Sequence, residues 1–339
     1  MDKNTGPLFN LRGKRVWVAG HNGMVGSALV RRLQREDCVI LKASRDRVDL
    51  TRQLETEDWM KQMRPDVIFV AAARVGGIVA NATYPADFIY INTMIAMNIM
   101  KAAAGLGVQK LLWLGSSCVY PKYAEQPISE DSLLTGSLEP TNEAYAIAKI
   151  AAIKLAQAYM RQFGLAYISA MPCNLYGPND NFDLHTAHVL PSLIRKMHEG
   201  KINGDQTVCI WGTGTPLREF LHVEDLADAC VFLMKHYCEP AIINVGTGAE
   251  ISIRDLAYKI RAIVGFQGQL IFDTSKPDGT PRKVTDVSRL YALGWRPRRV
   301  LEAGIRDLYH RWLTKDVFLA AAASLAASSN DMAHFAPIL

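Results

Sequence analysis

The stretch Arg15-Val-Trp-Val-Ala-Gly20-His-Asn-Gly23-Met-Val-Gly26 decides the fold. Its opening residues form a nearly continuous apolar run, the pattern of a strand buried on both faces. Met24 to Arg35 then reads as a helix, so the glycines fall at a strand-to-helix junction. There, glycines let the chain turn tightly and bring bare backbone against a pyrophosphate, whose charge meets a helix N-terminus. The residues of this loop that read as cofactor contacts are Gly20, Asn22, Gly23, Met24, Val25 and Gly26.

Working outward, the same alternation repeats. Cys38–Lys42, Val67–Ala71, Lys110–Gly115 and Ala166–Met171 read as strands. Helical patterns over Thr51–Met63, Pro85–Ala104 and Glu143–Phe163 separate them. Buried parallel strands joined by helices predict a doubly wound α/β sheet of Rossmann type. After Pro172 the rhythm changes: Asn174 to Asn181 reads as an irregular Gly/Pro/Asn segment, and loops are expected around Gly200–Gly204 and Gly212–Pro216. Short helices at Val189–His198, Val223–His236 and Ile253–Val264 predict a smaller α/β substrate-binding domain. The expected division is 13–178 for the dinucleotide-binding domain, with a later contribution from about 219–247. The substrate domain takes 179–218 and 248–314, and 315–339 forms a tail rich in Ala and Ser.

Composition narrows the class. Of 339 residues, 49% are hydrophobic and 21% charged, enough to build a large core and to exclude disorder over most of the chain. A net charge of +5 over this length suits a site for a small anion better than a nucleic-acid surface. Six scattered cysteines with no CxxC pair argue against a disulfide scaffold or structural zinc. No secretory h-region is seen in the first fourteen residues, and no apolar run reaches the ~18 needed to span a bilayer. A soluble cytoplasmic protein with no membrane or nucleic-acid partner is expected.

The end of the second strand separates the nicotinamide cofactors. NAD sites usually place an acid there, whereas Lys42-Ala-Ser-Arg45 offers Arg45, which can bond a 2′-phosphate and favours NADPH/NADP+. Asp49 reads equally as an adenine contact or a turn residue. Tyr145 and Lys149 stand at i, i+4 on one helix face, and a nearby ammonium together with the nicotinamide cation is expected to lower the tyrosine pKa. Ser116, at the carboxyl edge of the fourth strand, is positioned to orient a carbonyl toward Tyr145. Cys118 reads either as a small buried hydrophobe or as a thiolate base beside a ketone. His188, just before a helix, reads more readily as an N-terminal hydrogen-bonding residue than as a catalyst. His185 and His188 lack a third ligand at suitable spacing, so no metal is expected.

GHNGMVGSAL, AAARVGGIVANATYPADFIYIN, LGSSCVYPK, LEPTNEAYAIAKI, NLYGPNDNFD, HVLPSLIRK, WGTGTPLREFLHVEDLAD, NVGTG and PDGTPRK run from about Gly13 to Leu313. In these stretches, and in its GxxGxxG spacing, the chain closely resembles the GDP-L-fucose synthase family of extended short-chain dehydrogenase/reductases. The resemblance implies NADPH-dependent 3,5-epimerisation and 4-reduction of GDP-4-keto-6-deoxy-D-mannose. It implies Cys118 and His188 as epimerisation base and acid, Tyr145 as proton donor, Lys149 on the nicotinamide ribose and Ser116 on the keto group. Cofactor contacts would extend to Ala72, Ala73, Arg74, Pro172, Asn174, Leu175 and His188. Substrate contacts would fall on Lys196, Trp211, Arg218, Asp278 and Lys283. Many members carry Arg where this chain has Asn22, which implies a softer preference for NADPH over NADH.

The rival reading within the superfamily is an NAD-dependent nucleotide-sugar 4-epimerase or 4,6-dehydratase, which would recycle its cofactor. An idle cofactor-sensing regulator is a third reading, opposed by the presence of Ser116, Tyr145 and Lys149. Arg218 follows a Gly/Pro loop, and its planar fork suits a pyrophosphate; a surface pair with Glu219 or Glu224 is the alternative. Lys196 and Lys283 add charge, and Trp211 a flat wall. Ile89, Ile91, Ile95, Ile99, Ile147, Ile150 and Ile153 give the two long helices more apolar residues than one buried face needs. With the resemblance, this predicts a homodimer paired through those helices.

Overall fold

The computed structural model describes residues 8–314 except His185 and Pro277. The expected tail over 315–339 and the expectation for His185 therefore lie outside the described residues. Strand β1 (Arg15–Ala19) runs parallel between β2 (Val39–Leu41) and β3 (Val67–Val70). Beyond β3 come β4 (Lys110–Leu114), β5 (Ala166–Pro172) and, from far along the chain, β9 (Ile243–Val245). The order β2-β1-β3-β4-β5-β9 is parallel throughout and reverses its winding between β1 and β3. In open α/β sheets that switch point is where ligands bind, beyond the carboxyl ends of the strands.

Alternating side chains of these strands feed two cores. Val16, Val18, Phe69 and Leu112 meet α1 (Met24–Leu33) and α7 (Val223–His236) on one face. Trp17, Ile68, Leu111 and Trp113 meet α2 (Gln53–Met63), α4 (Pro85–Gly105) and α5 (Glu143–Phe163) on the other. A short α3 (Ile78–Thr83) precedes α4. With helices on both faces, the strands carry almost no polar positions, which is why they read as continuous apolar runs.

The later chain builds around β8 (Leu217–His222), paired in parallel with β6 (Asn174–Tyr176) and β12 (Arg282–Lys283), and antiparallel with β10 (Glu250–Ser252). Strands β7 (Thr207–Trp211) and β11 (Gln269–Asp273) form a separate parallel pair. With α6 (Val189–Asn203), α8 (Ile253–Val264) and a helix over 301–314 they enclose a third core that includes Ile194, Met197, Ile260 and Leu308. A short α9 (Ser288–Ala292) contacts β9.

Two expectations need correction here. Asn174–Tyr176 is a strand and not irregular, because Asn174 pairs with Phe220 and its Nδ2 donates to the Glu219 carbonyl at 2.7 Å. Helix α6 continues past His198 to Asn203, through part of the loop expected around Gly200–Gly204, because Gly200 is buried against Val208 and Phe266. Among the described residues no helix is long and apolar enough to cross a membrane.

Candidate active site

The glycine loop is bounded by close backbone approaches. Gly20 has φ +85°, and a Cβ there would stand 2.6 Å from the Ala72 nitrogen. A Cβ on Gly26 would lie 2.0 Å from the Gly20 carbonyl oxygen. Neither contact is sterically possible, so Gly20 and Gly26 admit no side chain. Gly23 begins α1 with no side-chain cap, and the first turn carries no acid. A helix start left in this state fits a pyrophosphate. Asn22 and Arg45 are exposed, and Arg45 forms no close ion pair among the described residues.

Other expected cofactor residues are already engaged. The Asp49 carboxylate accepts from Thr51 N at 2.9 Å and Thr51 Oγ1 at 2.8 Å, bonds that hold its pKa below the ordinary value. Asp49 therefore serves the turn into α2. Arg74 turns its guanidinium to Asp87 at 3.0 Å, between the Tyr84 and Phe88 rings, while its backbone is clasped by Asn92.

At the carboxyl end of β4, Ser116 accepts from Cys118 N at 3.2 Å through its Oγ, which starts a short 3-10 turn. Opposite stand Tyr145 and Lys149 on α5, on one face as expected. Lys149 is buried, donates to the Leu114 carbonyl at 2.7 Å and lies over the Trp113 ring at 4.4 Å. Burial pulls its pKa down to about 7, against the attraction of the Cys118 sulfur. The expected lowering at Tyr145 is reversed. Burial raises the phenol pKa, Cys118 pushes the same way, and a hydrogen bond with Ser116 opposes them. The lysine that was to favour a phenolate spends its proton on a main-chain carbonyl, so desolvation wins.

Cys118 is half-exposed, and its sulfur accepts from Lys283 Nζ at 3.3 Å. Burial of the sulfur raises its pKa, but the Lys283 charge and hydrogen bonds from Ser116, Lys283 and Asn142 outweigh this, and the net shift is downward. His188 precedes α6 and makes no side-chain capping bond, unlike the bland reading of it. Surrounding protein and then the Lys283 charge lower its pKa. His188 is itself among the exposed residues at the start of α6.

Arg218 is not paired with Glu219 or Glu224. Glu224 binds Arg31 at 2.6 Å, and Glu219 is fully buried with its carboxyl toward Gly248 and Thr285. Arg218 donates to the Leu217 carbonyl at 2.8 Å and feels Asp278, Cys118 and Glu139 only at longer range; burial lowers its pKa. Farther out, Lys196 Nζ lies 5.7 Å from the Trp211 ring, and Lys276, which sequence reasoning missed, lies 5.7 Å from the same ring. Both Asp278 oxygens accept from Thr213, at 2.7 and 2.9 Å, so Asp278 ties the loop around Gly212. Among the described residues no cluster of three or more His, Cys, Asp or Glu side chains could hold a metal.

A parallel sheet with a glycine loop at its switch point, and a serine, tyrosine and lysine gathered at the carboxyl end of β4, define a nicotinamide-dependent class. Residues 16–246 match the NAD dependent epimerase/dehydratase family. GDP-L-fucose synthase of Sinorhizobium fredii is 56% identical over 308 residues, spanning 91% of this chain and 98% of the relative. The structure of a GDP-6-OMe-4-keto-L-xylo-heptose reductase from Campylobacter jejuni is 33% identical, with a TM-score of 0.85 over 92% of this chain and 100% of that one. A GDP-L-fucose synthetase from Naegleria fowleri bound to NADP is 27% identical, with a TM-score of 0.85 over 92% and 97%. The chain belongs to the NAD dependent epimerase/dehydratase family and, within it, to the GDP-L-fucose synthases.

Proposed function

We propose that this chain is an NADPH-dependent enzyme that epimerises GDP-4-keto-6-deoxy-D-mannose at C3 and C5 and reduces its C4 ketone to give GDP-L-fucose. The observation that supports the reading is a linked set of side chains: Ser116 bonds both Cys118 N and Tyr145, and the Lys283 charge acts on both Cys118 and His188. NADPH, when bound, supplies the hydride for C4. Gly20, Asn22, Gly23, Met24, Val25, Gly26 and Arg45 would hold it, with Ala72, Ala73, Pro172, Asn174, Leu175, Lys149 and His188.

The ketone acidifies the hydrogens on both neighbouring carbons, so one base serves C3 and C5 after the sugar reorients. Cys118 as thiolate takes the carbon-bound proton and becomes a thiol. His188 as imidazolium delivers a proton to the opposite face, inverting the centre. Tyr145 then gives its phenolic proton to the C4 oxygen, while Ser116 orients that oxygen. A raised tyrosine pKa suits this role, since the group must carry a proton until the oxygen demands one. Lys149, poised near neutrality, is suited to reprotonate it.

Arg218 anchors the pyrophosphate, with Lys196 and Trp211 farther along, Asp278 shaping the loop and Lys283 at the sugar. The parallel-sheet part (13–178 with 219–247) serves the cofactor, and the part around the third core (179–218, 248–314) serves the nucleotide sugar. Exposed Tyr84, Tyr90 and Ile147 on and beside α4 and α5 support a homodimer through these helices, although Ile95, Ile99, Ile150 and Ile153 are buried within the subunit. Free cysteines and a nucleotide-sugar reaction suit the cytoplasm. The test is direct: with the keto sugar, NADPH should be consumed mole for mole with GDP-L-fucose formed. Turnover without NADPH loss would move the chain to the cofactor-recycling epimerases or dehydratases.

A further inference from the structure

Lys283, expected among the contacts to the nucleotide sugar, also reaches the sulfur of Cys118. It lies on β12, in register with Arg218 of β8, and alternation along the strand separates it from its neighbour. Arg282 goes outward to Glu250 at 2.7 Å, whereas Lys283 turns into the cleft and donates to Cys118 Sγ at 3.3 Å. Among the described residues Lys283 forms no ion pair with a carboxylate. The segment behind it is tied on both sides. Val284 N donates to Gln126 Oε1 at 3.0 Å, and Thr285 donates N–H and O–H to buried Glu219 at 2.8 Å each. The ammonium is thus delivered to the sulfur by a fixed backbone, 165 residues away in sequence.

We propose that Lys283 is a positioning residue for Cys118: its ammonium pairs with the sulfur and holds it as a thiolate, ready to act as the epimerisation base. This rests on the reading of Cys118 given above. In the step it serves, the thiolate takes the carbon-bound proton and becomes a thiol, and the ammonium keeps its own protons throughout. Other groups do not replace it. Tyr145 and Lys149 face the sulfur from α5, but the tyrosine carries no positive charge and Lys149 is bonded to Leu114. Arg218 acts from β8 at longer range, and Lys122, across the same small cavity, is paired with Glu139 at 3.0 Å. Ser116 and Asn142 add hydrogen bonds without charge. The same lysine charge disfavours the imidazolium of His188, so it biases base and acid in opposite senses.

The test needs no substrate. Iodoacetamide alkylation of the full chain would be followed across pH by peptide mass spectrometry, with exposed Cys209 and Cys238 as internal references. Cys118 should react with a midpoint below both references in the wild type. Lys283→Met should raise that midpoint by about one to three units, the usual effect of an opposite charge at this range. Lys283→Arg should keep it low. A wild-type midpoint at or above the references would overturn the proposal even if the methionine variant failed to fold. So would an unmoved midpoint in a Lys283→Met protein that still binds NADPH. Deuterium exchange at C3 and C5 tests the catalytic reading of Cys118 separately, so failure of one is distinguishable from failure of the other.

Discussion

The two edges of the cleft are built from different materials. At the cofactor edge, the loop from Gly20 to Gly26 packs backbone against backbone, and the limit is space: a Cβ on Gly20 or Gly26 would lie 2.6 or 2.0 Å from its neighbour. At the sugar edge, Cys118, Tyr145, Arg218 and Lys283 arrive from four elements, and the limit is charge. There the fully buried Glu219 ties the loop after β9 to the segment after β12, accepting from Gly248 N at 2.7 Å and Thr285 N at 2.8 Å. One edge should fail when a methyl group is added, the other when a charge is removed and the space is left.

The largest effect expected from breaking that contrast is Gly26→Ala. Its methyl has nowhere to go, so NADPH binding should vanish in a fluorescence titration. Thermal unfolding should report a loss of about 1–3 kcal/mol or more, as overpacking does. Normal binding by that variant would mean that the loop is not limited by space. At the other edge, Arg218→Ala should weaken GDP, UDP and dTDP alike, by roughly ten- to a hundredfold, the scale of about 1.5–3 kcal/mol for a lost charged hydrogen bond. Calorimetry would check this, and UDP binding as tightly as GDP to the wild type would remove the substrate assignment.

A smaller effect is a pH split between the two chemistries. Cys118 must be a thiolate, and its pKa is lowered, so the rising limb of exchange lies below the ordinary thiol range. His188 must be protonated, and its pKa is also lowered, so the falling limb begins below the ordinary imidazole value. Exchange at C3 and C5 should therefore follow a bell-shaped profile whose two limbs both lie below those of an ordinary thiol and an ordinary imidazole. Reduction of an already epimerised ketone draws on Tyr145, whose raised pKa keeps it protonated well above neutrality, so its profile should lack the thiol and imidazole limbs. Parallel profiles for the two reactions would contradict the separate acid–base sets.

How much of this was legible in the chain follows the same division. The parallel sheet and the glycine loop were readable because strand, turn and helix are contiguous and their apolar runs are uninterrupted. Tyr145 and Lys149 were readable as neighbours because helical spacing puts them there. The direction of the tyrosine shift was not, since it depends on burial and on Lys149 choosing the Leu114 carbonyl, neither of which is a property of spacing. The Lys283–Cys118 contact was invisible for a related reason. It depends on the pairing of a two-residue strand with β8, and a slip of one residue would send Arg282 inward in its place. Lys276 beside Trp211 carried no local signal at all, because an irregular loop brings it there.

The central claim is that one cleft holds two separable proton chemistries, and solvent deuterium incorporation reads it most directly. The keto sugar would be incubated in D2O with NADPH and each of three proteins: wild type, Cys118→Ala and Tyr145→Phe. Tyr145→Phe should still place deuterium at C3 and C5 while its reduction falls by about 10²–10⁴-fold, the usual scale for a lost general acid. Cys118→Ala should bind NADPH normally and incorporate no deuterium. Deuterium entering at the wild-type rate in Cys118→Ala, or exchange lost together with reduction in Tyr145→Phe, would contradict the account.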